Sequence, residues 1–330
     1  MQFVRLAPNQ APYEGGWVFS STGDIIRRRV LAPERARLGR SGLAGRTLMS
    51  SLTAGATFLA RGIFTALFPS DCRLCGAPLI DISRLPVCKT CLLEIAPISM
   101  TTCEICGEGL SGPDSASRTK ICPTCQSARP HFVQATAYGA YDGKLRELIH
   151  LLKYEQVEPA AATLGQMLAE AIKKLDLTSE PVLVIPVPLH GSKRRQRRFN
   201  QAELIARSAL KKSSLPSPQL ATDLLERTRA TVSQIGLTRP QRAENIRGAF
   251  RIKHLSRVEG RQVLLVDDVL TTGTTANECA RILRKAGAEK VWVATVARTL
   301  KENLGTAEID RDLGKGELAE VSASPSAQAS

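Results

Sequence analysis

The chain has 330 residues, 43% hydrophobic and 23% charged, with 45 Lys and Arg against 31 Asp and Glu for a net charge of +14. That length accommodates two ordered domains or one large domain with tails, and the apolar fraction excludes a disordered or fibrous chain as a whole. The basic excess points to polyanionic partners (nucleic acid, phosphorylated small molecules or an anionic membrane face), and it is concentrated: residues 181–260 hold 16 Lys and Arg against 5 Asp and Glu, whereas the tail from Lys301 holds 3 against 6.

Residues 1–42 are Arg-rich with no sustained apolar period, and they read as a disordered N-terminal extension. Residues 43–68 predict an apolar or amphipathic helix. Its apolar stretch, Leu48–Ala60, is about 13 residues between Arg46 and Arg61, short of the roughly 20 that span a bilayer. It suits packing on the domain, or peripheral contact with a membrane surface, but not a transmembrane span. The N-terminus lacks the charged-then-apolar order of a secretory signal. A cytoplasmic location is therefore expected, where paired cysteines bind metal more often than they form disulfides.

Residues 69–127 carry eight of the nine cysteines as four C-x-x-C pairs: Cys72/Cys75, Cys88/Cys91, Cys103/Cys106 and Cys122/Cys125. Each pair presents two thiolates to one tetrahedral zinc, and two pairs complete a four-thiolate site. Cys72-Arg-Leu-Cys-Gly-Ala-Pro-Leu and Cys103-Glu-Ile-Cys-Gly-Glu-Gly-Leu share C-x-x-C-G-x-x-L, and each is followed by a C-x-x-C without the glycine. The repeat predicts two consecutive zinc ribbons, 72/75/88/91 and 103/106/122/125, with crossed pairing as the alternative. So small a module has almost no apolar core, so two structural Zn2+ ions supply its folding energy; redox dithiols and an iron–sulfur cluster are the competing readings. Four thiolates per metal leave no position for water, which excludes zinc catalysis. Cys279, the ninth, lies among Ala280 and Ile282 and reads as a buried packing residue.

From residue 130 to 300 strands alternate with helices: Phe132–Tyr141, Val182–Val187, Gln262–Val266 and Val291–Ala297 as strands, with helices at Ala160–Leu175, Gln201–Lys212 and Thr275–Ala286 and a further one carrying Leu145, Leu148, Ile149 and Leu152. This is an α/β pattern, a mostly parallel sheet with helices on both faces. Residues 301–330 end in Ser-Ala-Ser-Pro-Ser-Ala-Gln-Ala-Ser and read as a disordered tail. His131, His150, His190 and His254 are scattered, and none is assigned a catalytic role.

Within this region Asp267 and Asp268 end an apolar strand, and Thr271, Thr272, Gly273, Thr274 and Thr275 form a tight turn opening a helix. In open parallel sheets ligands bind at the carboxyl edge. Two adjacent carboxylates facing solvent there accept hydrogen bonds from both hydroxyls of a ribose, and the turn offers N–H groups, hydroxyls and a helix N-terminus to a phosphate. The segment therefore reads as a site for phosphoribosyl pyrophosphate (PRPP). Upstream, Val184-Ile-Pro-Val-Pro-Leu-His190 ends a strand and is followed by Lys193, Arg194, Arg195, Arg197 and Arg198. Those cations suit a leaving pyrophosphate, with Lys193 and Arg195 assisting catalysis, or nucleic-acid phosphates, or simply a solvated helix start. Glu226–Phe250 reads as a long polar loop dotted with arginines, and such loops inside compact domains are usually functional.

The V-D-D-V-L-T-T-G-T-T segment resembles the PRPP signature of type I phosphoribosyltransferases. Together with C-x-x-C-G, His150-Leu-Leu-Lys-Tyr154, I-P-V-P-L-H, R-x-x-R-F-N-Q and the Gln234…Leu237…Arg242…Asn245…Gly248-Ala-Phe250 series, the chain from Phe68 to about Arg298 is similar to the ComF family of competence-associated phosphoribosyltransferase-like proteins. The resemblance implies a type I fold, ribose held by Asp267 and Asp268, the 5-phosphate held by Thr271–Thr275, and Mg2+ accompanying PRPP. It implies a glycosyltransferase acting on an unnamed acceptor in DNA uptake or nucleotide metabolism, with the 226–250 segment as a hood that closes to exclude water. The alternative is a catalytically silent, PRPP-sensing module that binds single-stranded DNA and competence proteins. One departure stands out: Arg198 occupies the position before Phe-Asn-Gln where the family usually has Gly. A positive φ there would strain an Arg by about 1 kcal/mol or more.

Overall fold

The computed structural model describes residues 70–80, 83–112, 115, 118–177, 181–229 and 239–300, together with two short strands nearer the N-terminus. The chain divides into two compact units, residues 1–57 and 58–330. In the first, β1 (Trp17–Phe19) and β2 (Ile25–Arg27) pair antiparallel. The rest of 1–42, the helix expected at 43–68 and the tail 301–330 lie outside the described residues.

The second unit is built on a five-stranded parallel sheet. Its strands are β3 (Gln134–Ala140), β4 (Val182–Pro186), β5 (Gln219–Leu220), β8 (Gln262–Leu270) and β9 (Lys290–Arg298), in the order β3-β9-β8-β4-β5. β8 and β9 are central and covered on both faces, which is why their sequences are near-continuous apolar runs rather than alternating ones. Successive side chains of each strand point to opposite faces. Leu264, Val266, Trp292 and Ala294 join one core, with helices α3 (Gly143–Lys153), α4 (Ala160–Ile172) and α6 (Gln201–Leu210). Val263, Leu265, Val291 and Val293 join the other, with α8 (Thr274–Lys285) and its buried Cys279. The α/β architecture is therefore the one the sequence predicts.

The cysteine module includes two one-turn helices, α1 (Lys89–Leu93) and α2 (Pro123–Ser127). Its two halves straddle edge strand β3. Cys72, Leu85, Val87, Cys91 and Ile95 pack in the α3/α4 core, whereas Cys103, Ile105, Leu110, Cys122 and Cys125 pack in the α8 core. Between them the backbone closes the sheet edge, the Ile98 N–H donating to the Tyr138 carbonyl at 2.8 Å and the Ala135 N–H to the Ile105 carbonyl at 2.7 Å. An open strand edge is a template for aggregation, and covering it removes that hazard.

The segment 226–250 departs from the expected single loop. Its ends form an antiparallel pair, β6 (Leu225–Arg227) with β7 (Phe250–Ile252), and α7 (Arg239–Ile246) lies between them. Arg229 Nη2 donates to the Asn245 and Arg247 carbonyls at 3.0 and 3.1 Å, satisfying acceptors at the C-terminal end of α7. The Gly248 N–H donates to Glu278 Oε1 on α8 at 2.9 Å. No helix among the described residues is long and apolar enough to cross a membrane.

Helices α4 and α6 meet at Gly165, where a Cβ would lie 2.4 Å from Ser208 Cβ and 2.9 Å from the Ala209 nitrogen. In an open helix Gly→Ala gains about 1 kcal/mol, but overpacking here costs about 1–3 kcal/mol. Gly165→Ala is therefore expected to lower the thermal unfolding midpoint of the zinc-loaded protein. A raised midpoint would contradict this packing.

Candidate functional site

Strand β8 runs past Val266 to Leu270, because β9 offers backbone partners opposite Asp267, Val269 and Leu270. Asp267 and Asp268 thus lie inside the strand rather than at its end, on opposite faces. Asp268 is not solvent-facing as the sequence suggested: it is 4% exposed, and its Oδ2 is 3.0 Å from Lys153 Nζ at the end of α3. Burial opposes the Lys153 charge, but Asp268 and Tyr141 outweigh it and hold its pKa above the ordinary value. Asp267 is half-buried. Burial and the neighbouring Asp268 charge push it up to about 7, against the opposing pull of the Asp268 N–H, Lys153 and Arg227.

The strand is followed directly by Thr271–Thr275. Gly273 takes φ 76° as the N-cap of α8, a left-handed conformation that costs glycine least. The Thr272 and Thr274 hydroxyls lie 2.8 Å apart. These residues are half-buried or exposed and sit at the N-terminus of a twelve-residue helix, where unpaired N–H groups and the helix dipole favour an anion.

Pro186 pairs with Val266, so the chain leaving β4 emerges beside the acidic pair. It forms α5 (Gly191–Arg197), with Lys193, Arg194, Arg195 and Arg197 on the helix and Arg198 as its C-cap at φ 65°. Arg198 thus adopts the positive φ that strains an Arg at this turn. Asn200 stabilises the turn, donating from Nδ2 to the Val187 carbonyl at 3.0 Å and accepting the Ala202 N–H at 3.1 Å. Arg197 stacks over Tyr154, 5.1 Å from the ring centroid. Lys153 and Arg227, to which the sequence reading gave no role, act electrostatically on Asp267. Lys153 stood inside the His150–Tyr154 motif, and Arg227 was one of many arginines in the supposed loop.

The four C-x-x-C pairs form two clusters, Cys72/Cys75/Cys88/Cys91 and Cys103/Cys106/Cys122/Cys125, the ligand atoms of each lying within 4.8 Å of one another. The pairing is consecutive, not crossed. Sulfurs bound at ~2.3 Å to a tetrahedral zinc sit about 3.8 Å apart. The observed separations are 3.9 Å (Cys72–Cys91), 3.7 Å (Cys75–Cys88) and 3.6 Å (Cys106–Cys122). Donor set and spacing thus fit two structural zinc ions. Backbone N–H groups back the sulfurs as in a zinc knuckle: Cys88 N donates to Cys72 Sγ and Cys122 N to Cys103 Sγ, both at 3.3 Å.

Comparison with known proteins converges on these two modules. Residues 161–313 match the model of the phosphoribosyl transferase domain, and residues 63–126 that of the double zinc ribbon domain. The chain is 30% identical over 224 residues to Competence protein F of Haemophilus influenzae, covering 66% of this chain and 93% of that protein. It is 32% identical over 235 residues to DNA utilization protein YhgH of Escherichia coli O157:H7, covering 70% and 98%. With Competence protein ComFC of Bacillus subtilis the identity is 26% over 220 residues, covering 64% and 84%.

The acidic pair is predicted to respond asymmetrically to neutralisation. Asp268→Asn leaves the buried Lys153 charge unpaired and should cost about 3–5 kcal/mol. Asp267→Asn removes a carboxylate whose folded pKa is raised, and at pH 8 should raise the melting midpoint. The sign follows from linkage: between about pH 4 and pH 7 the folded chain keeps the Asp267 proton that the unfolded chain has lost, so this group lowers stability as pH rises through that window. Melting curves of both variants at pH 5 and pH 8 test the pair, and equal destabilisation by the two would refute it. Separately, the purified protein should carry two zinc ions per chain. Because ribbon cysteines belong to both cores, chelation should lower the melting midpoint of the whole second unit; a midpoint indifferent to chelator would contradict that.

Proposed function

We propose, from the premise that the chain belongs to the ComF family, that it binds PRPP with Mg2+ and transfers the phosphoribosyl group to an acceptor in DNA uptake or nucleotide metabolism. The observation that carries this reading is the acidic pair near the end of β8, followed after two intervening residues by the threonine turn at the strand's carboxyl edge. Asp267 and Asp268 would take the ribose hydroxyls, and Thr271–Thr275 the 5-phosphate at the N-terminus of α8. Mg2+, bound with the pyrophosphate, would offset its charge. Lys153 Nζ lies 3.0 Å from Asp268 Oδ2, so this acceptor is oriented before ligand arrives. Lys193 and Arg195, on the helix that follows β4, would favour pyrophosphate departure. The β6/β7 pair and α7 would serve as the hood, tied to α8 through Gly248 and Glu278.

A second reading, a catalytically silent PRPP sensor that binds single-stranded DNA, is favoured by a separate observation. Tyr154 is 51% exposed beside the basic helix α5, with Arg197 over its ring. Basic grooves with exposed aromatic rings are how single strands are held. The names Competence protein F and DNA utilization protein, carried by relatives, agree with a role near DNA.

Isothermal titration of zinc-loaded protein with PRPP, with and without Mg2+, tests the first reading. Binding is expected to need Mg2+ and to vanish in Asp267→Asn/Asp268→Asn; no binding by well-folded wild type would sink it. Single-stranded DNA titrated across a salt series tests the second. Affinity should fall steeply with salt, and Tyr154→Ala should weaken it by about 1–3 kcal/mol. Affinity that ignores both salt and Tyr154 would overturn it.

A further inference from the structure

Arg298, the last residue of β9, is 2% exposed, and it is the point where the second zinc cluster meets the ligand edge of the sheet. Its side chain turns away from the ligand edge. Nη2 donates to Cys106 Sγ at 3.7 Å and to Glu108 Oε2 at 3.0 Å. Nε and Nη1 are buried without a partner, and so is Glu108 Oε1. Its main chain does the opposite. The Arg298 carbonyl accepts the Tyr141 N–H at 2.8 Å, and Arg298 lies in register with Leu270, whose carbonyl accepts the Thr299 N–H at 3.1 Å. Leu270 immediately precedes Thr271. The knuckle is seated tightly here, since a Cβ on Gly107 would lie 3.0 Å from the Ala135 carbonyl oxygen and 3.7 Å from Arg298 Cδ.

A buried guanidinium with unsatisfied N–H groups is costly unless a matching charge stands beside it. Four thiolates around one Zn2+ carry a net charge of two minus, and sulfur held in that way accepts hydrogen bonds from outside the coordination sphere. Cys103, Cys122 and Cys125 are buried, so solvent balances little of that charge. The first ribbon is different. Cys75, which corresponds to Cys106 in the repeat, is exposed, and Ala77 stands where the second ribbon has Glu108. Polar contacts from the α/β domain to the first knuckle include Lys144 Nζ donating to the Leu74 carbonyl at 2.8 Å and Glu155 Oε2 lying 3.5 Å from Arg73 Nη1, neither of them a bond to a ligand sulfur.

We propose that Arg298 is a positioning residue that balances the charge of the second zinc centre and couples it to the phosphate turn. Zinc in the second ribbon, but not in the first, then sets the affinity of the Thr271–Thr275 site for PRPP. With zinc bound, the guanidinium is drawn to the thiolate cluster, and the β9 end that supports Leu270 and Tyr141 is held in place. Loss of that zinc leaves Arg298 with Glu108 alone and loosens the strand end ahead of the turn. The coupling to PRPP rests on the PRPP reading above, whereas the charge-balancing role does not.

The test uses full-length, zinc-loaded protein and a chromogenic chelator. Wild type should release zinc in two phases, the faster from the ribbon with exposed Cys75. Arg298→Gln should speed the slow phase tenfold or more, the usual range for losing a partner of a metal ligand, and leave the fast phase unchanged. Arg298→Lys keeps the charge and should fall between the two. In parallel, PRPP titration should show at least fivefold weaker binding for Arg298→Gln. An unchanged slow phase in Arg298→Gln overturns the proposal. If both phases accelerate together in Arg298→Gln, the Lys variant decides: selective acceleration of its slow phase supports the role, and equal acceleration of both phases refutes it. Altered zinc release with wild-type PRPP affinity refutes the coupling alone, and wild type that binds no PRPP refutes the earlier reading while leaving the zinc result intact.

Discussion

Placing two carboxylates next to each other inside a largely buried strand is the constraint around which this domain is arranged. Burial and the neighbouring Asp268 charge both raise the cost of ionising Asp267. The pleat sends them to opposite faces, and each face supplies a different answer. On one, Lys153 reaches in from the end of α3 and pairs with Asp268 at 3.0 Å. On the other, Arg227 of β6 acts on Asp267 from a distance, and Asp267 remains close to neutral-pH titration. One carboxylate is fixed and the other is left adjustable. The helix that supplies Lys153 and the hairpin that supplies Arg227 belong to opposite layers of the sandwich, so the site exists only when both layers are packed.

The zinc ribbons solve a different problem of the same sheet. Strand β3 lies at an edge, and its outer N–H and C=O groups need partners. Ile98, between the two ribbons, and Ile105, inside the first knuckle of the second ribbon, supply two of them. With one ribbon on each face, the module grips the edge strand from both sides and contributes its own cysteines to both cores. Metal thus substitutes for apolar area that so short a segment does not have.

Much of this was legible in the chain itself. The apolar runs of β8 and β9, the Asp-Asp and Thr-Thr-Gly-Thr-Thr pattern and the repeated C-x-x-C-G-x-x-L motif each express a local requirement: two-sided burial, a phosphate-binding turn, a zinc knuckle. What escaped depends on tertiary context. Helix α5 is Gly-Ser-Lys-Arg-Arg-Gln-Arg, with no apolar face to announce it. The three-residue strands β6 and β7 exist because they pair with each other across the 226–250 segment. Lys153 stood only inside the His150–Tyr154 motif with nothing local to mark its role, since its partner Asp268 lies far along the sequence. The continuation of β8 through Asp267 and Asp268 was hidden because polarity reads as a strand end, although β9 supplies backbone partners there.

The strand order carries a consequence for how the chain is made. β3 is the first strand of the sheet in sequence, and its strand partner is β9, the last. While the chain is being synthesised, the ribbons can close on metal as soon as Cys125 has emerged, because all of their contacts to zinc are local. The edge they are shaped to cover does not exist until residues 290–298 arrive, and non-local parallel pairing of this kind is slow. A nascent chain therefore passes through a stage with finished zinc modules and an unpaired first strand, the interval in which such chains are most prone to misassembly.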